Sequence, residues 1–399
     1  MYTYSPVNSQ RCHTPLSEEW RGAEPHEYIA AGRDRAVGSR GTLRRTGRDV
    51  ALSDDFRLGV WKEVLTLCRV RPGEDVVVLT GEHSHPLNVD AAIRSSTALG
   101  ATVFRMDLPP KPPRGPVAGD RTTYLGVTPL SGNRLATETL KKAALVLDLM
   151  GLLHSPEQLE ILAAGARMLM VVEPPEILAQ MVPAEHDKAR VMAAERLLRG
   201  ARRMRVTSRA GTDFTVQLGQ FKPVPEYGFA DEPGHWDHWP SGFITTWPDE
   251  GSADGRVVID VGDMLFPFKT YVASPIVLDI RGGAIRSIEG GLEAKYLRRH
   301  LESYRDPDAY AVSHVGWGLQ PKARWTALGM RDKAQSLGMD GRAYYGNFLF
   351  STGPNAEAGG ANRSPCHVDI PMAGCSVSVD GTAVTVDGDV VAPDQRVAA

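Results

Sequence analysis

His367 and Asp369 stand two positions apart in the string Ser364-Pro365-Cys366-His367-Val368-Asp369-Ile370-Pro371. In an extended segment alternate side chains share a face, so these two project together while Val368 and Cys366 turn the other way. A further histidine, His314, lies in the Gly/Trp-rich string Ser313-His314-Val315-Gly316-Trp317-Gly318. Supplied from a neighbouring strand, it would complete one face of an octahedron and leave the opposite positions open. Two imidazoles and a carboxylate in that arrangement suit non-haem Fe(II) oxygenases. The spacing alone does not decide the matter, because H-x-D recurs by chance and a histidine on an apolar segment is more often a hydrogen-bonded core residue. His83 and His85 form an H-x-H, but with no cysteine or carboxylate pair nearby they read as loop histidines after a strand.

The elements that must position these groups fall into two kinds. Apolar residues recurring every three or four positions predict a helix over 56–68, and the β-branched run 75–80, bounded by Gly73 and Gly81, predicts a strand. Helices over 89–99, 133–143 and 156–164 then alternate with strands over 101–106, 144–149 and 168–172. Such alternation, with nearly continuous apolar strands, argues for a mostly parallel sheet covered on both faces. A helix over 185–201 closes this α/β part, which is taken as 51–202. Beyond it the chain reads as short strands and hairpins, with turns at Gly282-Gly283 and Asp380-Gly381 and one helix over 293–304. Residues 203–399 are therefore expected to be a β-rich, mostly antiparallel metal-binding domain.

The chain has 399 residues, enough for two substantial cores. With 45 Lys plus Arg against 48 Asp plus Glu, the net charge is −3 and no polyanionic partner is indicated, so nucleic-acid binding is not expected. Cys12, Cys68, Cys366 and Cys375 are scattered and form no C-x-x-C, which fits a reducing cytoplasm. No run approaches the roughly 18 apolar residues of a membrane helix. The segment 1–50 is rich in Arg, Gly, Ser and Pro without apolar periodicity and is expected to be a disordered tail, its glutamates counting against a mitochondrial presequence. No Gly-rich phosphate loop is present, so a nucleotide cofactor is not indicated.

Three strings carry a likeness beyond composition: His235-Trp236-Asp237-His238-Trp239-Pro240-Ser241-Gly242-Phe243, Ser313 to Pro321, and Tyr345-Gly346-Asn347-Phe348-Leu349-Phe350-Ser351-Thr352-Gly353-Pro354-Asn355. The chain closely resembles the 2,5-dihydroxypyridine 5,6-dioxygenase family, ring-opening enzymes of nicotinate and nicotine degradation, from about Leu52 to about Pro393. The resemblance implies an M29 aminopeptidase-like fold, an α/β domain followed by a β-rich one. It makes His314, His367 and Asp369 the ligands of one Fe(II) per subunit. It singles out His154 as a catalytic loop histidine that takes the substrate hydroxyl proton, a task suited to a group titrating near neutrality. Glu226, His238 and Ser351 become candidates for binding the ring, and Trp236, Trp239, Trp317 and Phe350 for lining a dry cavity. The implied reaction joins a small aromatic N-heterocycle and O2, cleaves the C5 to C6 bond and yields N-formylmaleamate, in a cytoplasmic homo-oligomer.

The competing reading is a metal-dependent hydrolase of the same fold, an aminopeptidase or an enzyme removing an amino group from an aromatic ring. A two-metal peptidase needs bridging carboxylates. Asp369 is the one carboxylate the sequence places at the site, with Glu226 and Glu357 as further possibilities. A non-catalytic binding module has no evident use for H-x-D beside open positions.

Overall fold

A computed structural model describes residues 53–111, 124–125 (backbone), 127–153, 155–266 and 268–397. The segment expected to be a disordered tail and His154 both lie outside the described residues.

Ten strands build the two sheets that position the site. In chain order they are β1 (Asp75–Thr80), β2 (Thr102–Asp107), β3 (Leu145–Asp148), β4 (Arg167–Met170), β5 (Val224–Glu226), β6 (Trp236–His238), β7 (Phe243–Thr246), β8 (Val312–Gly318), β9 (Phe348–Thr352) and β10 (Val368–Met372). The first sheet has the order β6-β4-β3-β1-β2 and all its pairings are parallel. Its central strands are buried at every position of β3 and β4, as the apolar runs require. Alternation splits their side chains between two layers. Val76, Val78, Leu145 and Leu147 pack with helices Asp54–Leu67, Pro86–Ala98 and Glu185–Arg199, and Val77, Leu79, Val146 and Met168 pack with Arg134–Leu140 and Pro156–Ala163. Ser53, Asn133 and Ser155 cap their helices by accepting a hydrogen bond from the backbone N–H three residues on.

β6 comes from beyond residue 202 yet joins this sheet, with Trp236 beside Met168 and His238 beside Met170. At three residues it is too short for a periodic signal, and the sequence did not reveal it. The second sheet is antiparallel, in the order β10-β9-β8-β7-β5. An eight-stranded antiparallel sheet, including Arg203–Ser208, Asp213–Gln217, Asp254–Ile259, Ile276–Arg281 and Cys375–Val379, contributes Val206, Phe214, Val257, Ile276 and Val377 to the main core. Facing residues of the second sheet, Ile244, Val315, Trp317, Phe348, Phe350, Val368 and Ile370, belong to that same core. On the second sheet's other face, which also carries His314, Ser351 and Asp369, Phe243 and Leu349 join a smaller apolar cluster with Met170, Met181 and Met339.

Candidate metal centre

His314, Ser351 and Asp369 form a row across β8, β9 and β10. Ser351 pairs with Asp369, and on the other side the register slips: Val312 pairs with Thr352 and Val315 with Phe350, so Ser313 and His314 together oppose Ser351. Such a bulge re-aims a side chain. The hydroxyl of Ser351 donates to His314 O at 2.8 Å, and Ser313 Oγ donates to Pro354 O, fixing the bulge from both ends. His314 was expected on a strand neighbouring that of Asp369, but β9 lies between them. The small side chain of Ser351 leaves room for the larger two to meet above it.

His367 precedes β10 by one residue and, with Val368 and Cys366 in the core, shares the face of Asp369. The three reactive atoms form a nearly equilateral triangle. Asp369 Oδ1 lies 3.1 Å from His314 Nε2 and 3.2 Å from His367 Nε2, and the two nitrogens are 3.3 Å apart. An octahedral ion with bonds of about 2.1 Å has adjacent ligands about 3.0 Å apart, so the triangle fits a metal. The chemistry agrees: Asp369 Oδ1 is buried and accepts no hydrogen bond of ordinary geometry. Among the described residues this is the one such group of metal-ligating side chains. Asp369 is 7% exposed, His314 13% and His367 27%, so solvent reaches the triangle from the side of His367.

Electrostatics reinforce the geometry. Burial alone would push the Asp369 carboxyl up, but His367, Arg342 and His314 hold it well below the usual carboxylate range. Burial would lower His367, and the carboxylate charge of Asp369 outweighs it, so its affinity for a proton is raised. Arg342 Nε donates to Asp369 Oδ2 at 2.7 Å, and its guanidinium stacks 4.1 Å over the Phe266 ring. That contact turns one carboxylate oxygen away and leaves Oδ1 for the triangle. The sequence carried no sign of Arg342, since a partner of a ligand needs no fixed spacing from it.

Glu226 and His238 meet elsewhere on the same face. Glu226 pairs across β7 Phe243 with β8 Gly318, four residues from His314 along β8, or roughly 13 Å at the usual strand rise. His238 Nε2 lies 2.5 Å from Glu226 Oε2, and its Nδ1 donates to Pro240 O at 2.8 Å. Burial lowers the affinity of His238 for a proton, yet Glu226 outweighs it and the net shift is upward. Asp237 pins the turn that brings them together: it accepts from Tyr227 N (2.8 Å), Gly228 N (3.0 Å) and His238 N (2.7 Å). The floor between this pair and the triangle includes Gly316, where an added Cβ would lie 1.9 Å from Ile244 O.

Three of the four aromatic residues expected to line a cavity do not. Trp317 and Phe350 alternate with His314 and Ser351 and so point into the main core, where Trp317 Nε1 donates to Gln395 Oε1 and Phe350 meets Phe214 edge-on. Trp239 packs edge-on against Trp61. Trp236 remains beside His238, at 5.6 Å between ring centroids. The aromatic rings on the site face that the sequence did not indicate are Phe243, 5.5 Å from His238, and Trp247, 6.0 Å from His314. His85 caps helix Pro86–Ala98 by accepting from Leu87 N, a structural role. Among the described residues, neither Glu226 nor Glu357 belongs to the metal-ligating group.

The family model for 2,5-dihydroxypyridine 5,6-dioxygenase matches residues 57–392. A 2,5-dihydroxypyridine 5,6-dioxygenase of Pseudomonas putida strain KT2440 is 51% identical over 336 residues, covering 84% of this chain and 96% of that protein. The solved 2,5-dihydroxypyridine dioxygenase from Pseudomonas putida KT2440 superposes with a TM-score of 0.85 at 50% identity, over 86% of this chain and 100% of the other. AmpT from Thermus thermophilus, at 15% identity and a TM-score of 0.51 over 85% of this chain and 100% of its own, shares the fold alone, which is the M29 aminopeptidase-like one. The chain belongs to the 2,5-dihydroxypyridine 5,6-dioxygenase family.

Proposed function

We propose that this protein is an Fe(II)-dependent dioxygenase that opens 2,5-dihydroxypyridine between C5 and C6 with O2 to give N-formylmaleamate, with one Fe(II) per subunit held by His314, His367 and Asp369. The observation that carries the reading is the triangle of two imidazole nitrogens and one orphaned carboxylate oxygen in a chain of this family. Held by these three side chains, a ferrous ion would supply the redox chemistry that joins an electron-rich ring to O2.

The chain's own residues bind and orient the ring. A hydroxypyridine presents ring nitrogen and an oxygen on adjacent atoms, and an acceptor beside a donor matches that edge. Glu226 supplies the acceptor, and His238, whose two ring nitrogens face Pro240 O and Glu226 Oε2, holds that carboxylate in place. Ser351, its proton committed to His314 O, offers lone pairs at the centre of the ligand row. His154 takes the hydroxyl proton in this reading, and its neighbour Leu153 packs against the cluster containing Met170, Phe243 and Leu349. The division into 51–202 and 203–399 then puts all three metal ligands in the second part, which also lends β6 to the first sheet. Free, buried Cys68, Cys366 and Cys375 accord with a cytoplasmic location, and the protein is expected to self-associate.

The test is anaerobic loading with Fe(II), then addition of 2,5-dihydroxypyridine and air. Loss of ring absorbance with one O2 consumed per ring supports the reading. Bound iron without O2 uptake overturns it, and turnover without O2 would point to hydrolysis.

A further inference from the structure

Glu173 lies three residues past β4, just before helix Pro175–Gln180, and is buried, 1% exposed. Its carbonyl oxygen accepts from Asn88 Nδ2 at 2.9 Å, which ties it to helix Pro86–Ala98. Its carboxylate reaches across to the second part of the chain, where Oε1 accepts from Met339 N at 3.0 Å. Gln180, at the end of the same short helix, adds a further tie by donating to Asp340 Oδ1 at 2.8 Å and accepting from Arg331. Leu337 and Met339 pack with Met170, Ile177 and Met181. The segment 331–342, which leads from β8 toward β9, thus docks on the α/β part through polar and apolar contacts together.

That segment ends in Arg342. Its Nη1 donates to Leu337 O, its Nε donates to Asp369 Oδ2 at 2.7 Å, and its guanidinium lies over Phe266. Gly338, at φ +82°, leaves room for the same ring, since an added Cβ would lie 2.3 Å from Phe266 Cζ. Residues 337–342 therefore form one compact turn, held by Glu173 at Met339 and laid on Phe266, from which a single side chain reaches a metal ligand. We propose that Glu173 is a positioning residue of the metal centre: from the α/β part it holds this turn and so sets Arg342 against Asp369. Every link in the chain is a hydrogen bond, from Glu173 to Met339, from Leu337 to Arg342 and from Arg342 to Asp369. Without an acceptor at 173 the Met339 N–H is left buried and unpaired, which the turn relieves only by moving. The proposal deepens the reading that His314, His367 and Asp369 bind a metal and rests on it.

The experiment is titration of metal-free protein with Co(II), followed by absorbance and by competition with a chelator, beside melting of the metal-free forms. Glu173→Met fills the same space without an acceptor and should weaken Co(II) binding about 10-fold, the low end for outer partners of a ligand. Glu173→Gln can still accept from Met339 N and should bind within twofold of wild type. In an Arg342→Lys background, Glu173→Met should weaken binding by less than twofold further, because the route through Arg342 is already broken. A role in folding alone would lower metal-free melting and leave Co(II) affinity unchanged. Co(II) affinity of folded Glu173→Met within twofold of wild type overturns the inference, and so does an equal loss in both backgrounds. Should Glu173→Met not fold, Glu173→Asp, whose carboxylate falls short of Met339 N, gives the same two readings. A wild-type protein that binds no Co(II) overturns the metal reading itself, and this inference with it.

Discussion

His314 and Asp369 belong to strands that are not neighbours, and they meet at 3.1 Å above the serine of the strand between them. The size of residue 351 therefore sets whether the ligands converge. Ser351 is fully buried, so a bulkier group there has no exit. Ser351→Leu should abolish metal binding while the protein still folds with a loss of about 1–3 kcal/mol from overpacking. Ser351→Ala removes the bond to His314 O and should cost about 1 kcal/mol with metal binding largely kept. Metal content and chemical denaturation check both; a Leu variant that holds metal as tightly as wild type would refute the steric account.

Arg342 should matter through shape as well as charge. Its guanidinium both donates to Asp369 and lies on Phe266, a combination that the ammonium of lysine cannot reproduce. Arg342→Lys is expected to weaken metal binding about 10- to 100-fold, the range typical of lost outer partners. Equal affinities for variant and wild type in a chelator competition would count against it.

The Glu226–His238 pair should leave a signature in stability against pH. The folded-state affinity of His238 for its proton is raised, so its contribution is fully present below the unfolded value of about 6.5 and is lost as pH rises through the folded one. In Glu226→Gln the two largest raising causes are lost and only Asp237 and Pro240 oppose burial, so the upward shift should shrink. The melting-temperature gap between wild type and Glu226→Gln should be wide at pH 6 and narrow at pH 9. A gap equal at both values would mean the pair is not sharing that proton.

Removing metal should loosen the second sheet, because the ligand set ties β8 to the chain on either side of the start of β10. At a free metal concentration about 100 times the dissociation constant, binding contributes about 2.7 kcal/mol to stability. Chelation should lower the melting temperature accordingly, and hydrogen exchange should rise at the amides of β8 and β10 first. A chelated protein that melts unchanged would contradict this.

The legible parts of the chain were those where one physical cause acts over many residues. The parallel strands showed because β3 and β4 are buried on both sides, and their helices because the apolar spacing lasts from about two turns in Arg134–Leu140 to about four in Glu185–Arg199. His367 and Asp369 showed because a strand's period of two is rigid. What did not show was anything depending on short strands outside the regular strand–helix alternation, or on contacts between distant segments. β5, β6 and β7 are too short for a pattern, so the meeting of Glu226 with His238 could not be read off, and the place of β9 between β8 and β10 is set by pairing between distant segments. Arg342, Asp237 and Trp247 act through partners 27, 10 and 67 positions away, and no local spacing encodes them.

β6 gives its hydrogen bonds to one half of the molecule and its histidine to the other. A chain severed at residue 202 would leave β4 with an open flank and His238 on a strand with nothing to lie against. Grafting the metal-bearing half onto a foreign scaffold would thus transplant the ion's cage but not a working enzyme, and complementation between separately expressed halves should succeed only where they zip together along β4 and β6.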